Sequence, residues 1–305
     1  MNYPTANKNN GHPAAKALLA VGMWGTMSTS SKLLMNELDA FYVLFFSCLF
    51  ATVILLCCGI LNGSLSSLKT LPPEEALRMI LIGSLGVFFY NVFYFLGTKE
   101  LPAQTAFIIN DLWPALIIVF SAVILKERLT PGKIAAVLLS FAGILTVVTN
   151  GKLSGFRLDS PKGVLCCLGA ALTYSLYSVF NKKESYDKTV AVLLSYASGT
   201  VAAFLCALSL GTLRTPTVRE LLGMAYNGVF CNGLPYLLWA LAMDSGNTSV
   251  IANLAYLTPV VSLFVTHYLL GEEITLYSVL GILLILAGIA IQIFESRRPR
   301  EGGAA

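Results

Sequence analysis

Residues 109–120 read INDLWPALIIVF, and the one side chain in that stretch able to carry charge is the carboxylate of Asp111. An ionised acid at bilayer depth costs about 2.5–3.5 kcal/mol or more, so it needs a cation to pair with, a proton to carry or a wet cavity to face. Gln104, Phe107, Asp111 and Pro114 follow 3, 4, 3 spacing and share one helix face. A carboxylate turned to lipid would be far costlier than one turned to water, so this face is expected to line a cavity. The other candidate lining residues are Trp24, Ser28 and Ser31; Tyr90, Asn91 and Tyr94; Tyr174 and Tyr177; Asn232, Tyr236 and Trp239; and Ser249, Asn253 and Tyr256. One acid within an aromatic shell suits an organic ammonium, by charge pairing and cation–π contact. The same acid could instead carry a coupling proton. The bland alternatives are helix packing or an interfacial belt for each aromatic, and a structural pair with Asn110 or a neighbouring helix for Asp111.

The elements that must position these residues are apolar. Of 305 residues, 56% are hydrophobic and 12% charged, with a mean hydropathy of +0.74. That composition excludes a soluble domain and marks an all-α integral membrane protein. The formal charge of +4 is spread over loops, which reads as a topology signal and sets nucleic acid aside. The polar start, MNYPTANKNNGHPAAK, shows no removable signal peptide. All seven cysteines lie in or at the ends of apolar runs without metal spacing, so packing is expected, with no metal or cofactor.

Ten runs long enough to span a bilayer fall at about 14–35, 40–61, 76–97, 102–125, 131–149, 162–181, 189–211, 217–243, 247–270 and 276–294. Shifting the chain by 145 residues lays LWPALIIVFSAVILKERLT on LTPVVSLFVTHYLLGEEIT, pairing Pro114 with Pro259, Glu127 with Glu272 and Thr130 with Thr275. The shift also pairs Gly83 with Gly228, Tyr94 with Trp239, Asp111 with Tyr256 and one AGI with another; a shift of 150 pairs Trp24 with Tyr174 and Lys32 with Lys182. This is a duplication of five helices. Because five is odd, the second copy must cross in the opposite sense, giving two inverted repeats with a site at their midplane interface. The expected organisation is an N-terminal tail (1–13), a first repeat (14–150), a second repeat (151–294) and a C-terminal tail (295–305).

On the N-terminal side fall thirteen of the twenty basic residues, among them Lys16, Arg78, Lys126, Arg128, Lys182 and Lys188. The positive-inside rule then places both termini in the cytoplasm, in a cytoplasmic (inner) membrane. Pro114, Pro259, Gly228, Gly233 and Pro235 are candidate hinges, since proline removes a backbone hydrogen bond and glycine permits bending or close approach. Tight packing is the alternative, for which Gly83 and Gly228 are well suited. Glu127 and Glu272 stand at helix ends before a Thr able to cap the next helix, which favours structural roles. His267 is read as packing.

Trp24-Gly25 followed by Lys32, the mid-span proline, KERLT and AGI, and the repeated Pro259, GEEIT and AGI resemble the drug/metabolite transporter superfamily of the ten-helix EamA type, over about residues 14–295. The resemblance implies helices 1–4 and 6–9 around a central cavity, with 5 and 10 peripheral. It also implies export or exchange of small metabolites, amino acids among them. Many members carry an Arg within the second helix, where this chain reads FFSCLF, so that role does not carry over.

The expected function is a secondary transporter moving a small amphipathic metabolite, an amino acid or organic amine, outward by alternating access. Protons are a candidate coupling partner, and a monomer or weak dimer is expected. Nucleobase-type or drug substrates, a membrane-embedded enzyme and a channel are the alternatives. Against an enzyme stands the lack of HExxH, GxSxG or paired intramembrane acids. Against a channel stands the lack of a polar pore ring.

Overall fold

Short polar side chains start the helices. Asp39 accepts from the N–H groups of Phe41 and Tyr42 at 2.9 and 3.3 Å, and Asp187 from those of Thr189 and Val190 at 2.8 and 3.1 Å. Ser160 accepts from Gly163 N–H at 3.1 Å and Asn247 from Val250 N–H at 3.2 Å. Thr217 and Glu220 form a capping box. Each satisfies donors that a helix start leaves open.

A computed structural model gives the architecture, described over residues 12–35, 38–101, 106, 109–149, 151–152, 160–270 and 274–297. Among these residues all regular structure is helical: α1 (Pro13–Trp24), α2 (Met27–Met35), α3 (Ala40–Leu61), α4 (Pro73–Ser84), α5 (Tyr90–Glu100), α6 (Trp113–Ile124), α7 (Pro131–Thr149), α8 (Pro161–Lys183), α9 (Lys188–Ser209), α10 (Val218–Tyr226), α11 (Leu234–Ser245), α12 (Thr248–Leu254), α13 (Thr258–Leu270) and α14 (Leu276–Arg297). Among the described residues, six helical stretches are long and apolar enough to cross a membrane: Ala40–Leu61, Pro73–Thr98, Pro161–Lys183, Lys188–Ser209, Thr248–Leu269 and Leu276–Glu295.

Half of the apolar runs are interrupted, which the apolar pattern does not show. The first turns at residues 25–26, between α1 and α2. The third and eighth pass through wide π-helical turns, Leu85–Phe89 and Asn227–Gly233, which overlap under the 145-residue repeat. The fourth turns at 111–112, and the ninth tightens to a 3-10 turn at Ala255–Leu257. Pro114 and Pro259 stand at the second position of α6 and α13. Each lacks an N–H, and its ring crowds the carbonyl four residues earlier, so the break recurs at the same place in both halves.

Contacts between the halves repeat the duplication. Thr52 and Thr200, 148 residues apart, meet hydroxyl to hydroxyl at 3.2 Å across α3 and α9. Gly83 lies against Ser195, where a Cβ would be 1.9 Å from the hydroxyl, and its repeat mate Gly228 lies against Ser47, where a Cβ would be 2.5 Å from the carbonyl oxygen. Gly163 abuts Leu101, and Gly246 abuts Pro13 in the same relation. On α7 and α14, Gly143 approaches the Gly281 carbonyl and Gly288 approaches Ser140. Absent side chains let the backbones close in, the packing available to helices that gain little from burying apolar surface out of lipid.

Candidate functional site

Where the interrupted runs meet, aromatic rings fill the centre. Trp24 lies 6.1 Å from Trp113, 6.2 Å from Tyr174, 5.9 Å from Tyr236 and 5.4 Å from Trp239, between ring centroids. Trp113 stands edge-on to Tyr174 at 4.9 Å, and Tyr90 joins through Tyr174 at 5.3 Å. Tyr94 stacks on Tyr90 at 6.1 Å, Tyr177 reaches Tyr174 at 5.9 Å, and Tyr196 reaches Tyr236 at 5.2 Å. Edge-to-face pairs dominate, as ring quadrupoles favour. Both repeats contribute.

Asp111 sits at the turn that ends the short helical stretch before α6 and is only 7% exposed. Its carboxylate is hydrogen-bonded by the Trp113 side chain and lies within electrostatic reach of the Tyr90, Tyr94 and Tyr256 phenols. Next to it, Asn110 donates to the Tyr90 hydroxyl at 3.4 Å. Several buried polar atoms around this centre have no hydrogen-bond partner: the Tyr177 hydroxyl, the Trp239 indole N–H and both side-chain polar atoms of Asn253. Natural cores leave few such groups unpaired, and they concentrate where a ligand or water is to be met.

Other expected site residues serve the backbone. The π turns free carbonyls, and side chains take them up: Asn91 donates to the Val87 carbonyl at 2.6 Å, Tyr236 to the Gly86 carbonyl at 3.2 Å and Asn232 to the Asn227 carbonyl at 3.1 Å. The Asn232 amide oxygen accepts from Tyr196 at 3.4 Å. Phe107, Gln104 and Glu272 lie outside the described residues. The continuous face expected for Gln104 through Pro114 does not run unbroken, because the chain turns at Asp111 itself. That turn brings in Trp113, which helical spacing leaves off the face. Tyr196 was also missed, hidden among small residues of a run with no acid. Gly228 and Gly233 are wedged against α3, where Cβ atoms would meet Ser47 and Ile54.

Polar contacts join the repeats at one end of the bundle. There Glu127 accepts from the Thr248 hydroxyl at 2.5 Å and lies 3.9 Å from Lys182, whose ammonium donates to the Gly246 carbonyl at 2.7 Å. Lys188 donates to the Asn181 and Glu184 carbonyls and lies 3.3 Å from Asp244. Thr130 accepts from Lys133 N–H at 3.3 Å as a cap, and the acid near it makes a structural contact between the two repeats. At the other end a cavity of about 420 Å³ opens between α2, α10 and α13.

The EamA-like transporter family model matches residues 14–149 and again 161–294, so the chain belongs to that family. It is a multi-pass membrane transporter of duplicated build, and the family is not one of enzymes. An uncharacterized transporter of Archaeoglobus fulgidus is 26% identical over 281 residues, 89% of this chain and 94% of that protein. An aromatic amino acid exporter, YddG, of Ancylobacter novellus is 31% identical over 180 residues, 58% of this chain and 62% of that protein. A probable amino-acid metabolite efflux pump of Salmonella typhimurium is 26% identical over 245 residues, 75% of this chain and 80% of that protein. A crystal structure with a TM-score of 0.84 and 23% identity covers 94% of this chain and 98% of its own, and shares the fold.

Proposed function

We propose that the chain is a secondary transporter exporting a small amphipathic metabolite, an amino acid or organic amine, across the cytoplasmic membrane by alternating access. The observation that carries this reading is Asp111, buried at the break of the fourth run and within electrostatic reach of phenols from both repeats. A carboxylate against phenol and indole faces can take an ammonium by charge pairing and cation–π contact, while the rings take an apolar side chain. Two relatives, an aromatic amino acid exporter and a probable amino-acid metabolite efflux pump, point the same way.

In this reading the ten apolar runs are ten spans, five to a repeat, and the odd number inverts the second half. The glycines and prolines at the broken runs let the helix halves rock. The end tied by Glu127, Lys182 and Thr248 faces the cytoplasm with both termini, and the cavity faces outward. The test is counterflow in proteoliposomes loaded with unlabelled L-phenylalanine or phenethylamine. Saturable accumulation of the labelled compound, reduced about tenfold or more by Asp111→Asn, is expected. Accumulation of neither compound by the parent protein would remove the substrate class.

A further inference from the structure

The cavity at the end away from Glu127 is lined by Thr26, Thr29, Ser30 and Tyr226 together with leucines and Val265, with Arg219 and Glu220 also in its wall. Its volume of about 420 Å³ lies in the range of small-molecule sites, roughly 300–1,000 Å³. Two features set it apart from a packing defect. Thr29 is 6% exposed, and its hydroxyl has no hydrogen-bond partner. Its neighbours are engaged: Thr26 donates to the Met23 carbonyl at 2.8 Å and accepts from Tyr226 at 2.9 Å, and Ser30 accepts from Asn227 at 3.4 Å.

The second feature is charge. Arg214 clamps Glu220 through two bonds, of 3.0 and 2.5 Å, so that carboxylate is already neutralised. Among the described residues no carboxylate pairs with Arg219, which leaves its guanidinium as the uncompensated charge in the cavity wall. An arginine with five donors, sharing the cavity with an unpartnered hydroxyl and apolar side chains, matches an anionic oxygen group on a small, partly apolar molecule.

We propose that this cavity is a second ligand site that takes a small carboxylate, with Arg219 on the anionic group and Thr29 on its polar body. It rests on the amino-acid reading above only for the identity of that ligand. A substrate released from the aromatic centre would meet it on the way out, and an amine without a carboxylate would not be held there.

The experiment uses the full-length protein in nanodiscs, with Thr29→Cys, or Ser30→Cys if the first does not fold. The position is labelled with a sulfonate-bearing or a trimethylammonium-bearing methanethiosulfonate, and modification there is read by peptide mass. The anionic reagent is expected to react several-fold faster, and Arg219→Gln is expected to abolish that advantage. L-Phenylalanine and 3-phenylpropionate should slow labelling, and phenethylamine should not. Absence of modification, labelling indifferent to charge, or no protection by either carboxylate would overturn the site. Protection by phosphatidylglycerol discs but by neither carboxylate would assign the anion to a lipid headgroup and likewise overturn it. If 3-phenylpropionate protects while L-phenylalanine is not transported, the site stands and the amino-acid reading falls.

Discussion

Asp111 is held where a helix has been made to stop. The proline three residues on breaks the run, and the carboxylate so placed lies within reach of the Trp113 side chain and within electrostatic reach of phenols from both repeats. Asp111→Asn keeps the shape and the neighbour but cannot ionise. A charge-assisted hydrogen bond is worth roughly 1.5–3 kcal/mol, so binding of an ammonium ligand by the Asn variant should weaken about tenfold or more, read by isothermal titration. Retained exchange with loss of pH-dependent net flux would instead assign Asp111 to the proton. Trp239 is 1% exposed with an unpaired indole N–H. Tyr94→Ala and Trp239→Ala should raise the half-saturating substrate concentration with expression near normal; unchanged concentration dependence would make both packing residues. Gly228 is different in kind, because a methyl there would lie 2.7 Å from Phe50 Cβ as well as against the Ser47 carbonyl. Overpacking of this sort costs about 1–3 kcal/mol, so Gly228→Ala should lower the melting temperature in detergent whatever it does to transport.

At the scale of elements, the breaks and the end contacts separate what can bend from what holds. Glu127 joins the first repeat to the second through Thr248 and Lys182. In Glu127→Gln the charge is gone, and that end should open more often. Labelling of a cysteine at Ser249, whose side chain is buried just beyond the tie, should then speed up about tenfold; an unchanged rate would make the contact incidental. The link between the repeats carries an exposed ion pair, Lys162 to Glu100 at 2.9 Å, with Ser160 at 3.2 Å from the same carboxylate. Lys162, then Ser160, hold the Glu100 carboxyl below the usual carboxylate range. Its pKa is lowered on folding, so its contribution is present above the ordinary value of about 4.3 and is lost as pH falls through the lowered one. Exposed pairs contribute little. The melting temperatures of the parent and Glu100→Gln should therefore differ slightly at neutral pH and converge in acid.

For the whole molecule, Pro13 lies beside Gly246, and Glu295 lies beside Gly132, which places the start of α1 and the end of α14 toward the end tied by Glu127. Cysteines introduced at positions 2 and 304 should resist an impermeant thiol reagent in intact cells and react once the membrane is opened. Labelling of either in intact cells would reverse the proposed orientation. The duplicated build was legible because each repeat carries the same punctuation, proline in the fourth and ninth runs, glycine in the third and eighth, threonine before the fifth and tenth. The prolines and threonines act on their own backbone, so their effect survives without knowledge of neighbours.

The sequence by itself determined the class, an all-helical, duplicated membrane protein, because hydropathy and length set what crosses a bilayer and repeated residues set where helices start, bend and stop. It also marked Asp111, since an acid in such a run is costly wherever the helices lie. Only the tertiary structure decided which rings meet that acid. Trp113 is brought in by a turn that periodicity cannot show, and Tyr196 by a contact across 40 residues to Tyr236. Likewise Glu127 reads locally as part of a helix end and proves to be a tie between halves, because its partners Lys182 and Thr248 lie 55 and 121 residues away in the chain. Where Glu127 finds its partners and where a cavity opens depend on how two near-equal repeats are packed against each other, and a sequence that writes the same signals twice leaves that to the fold.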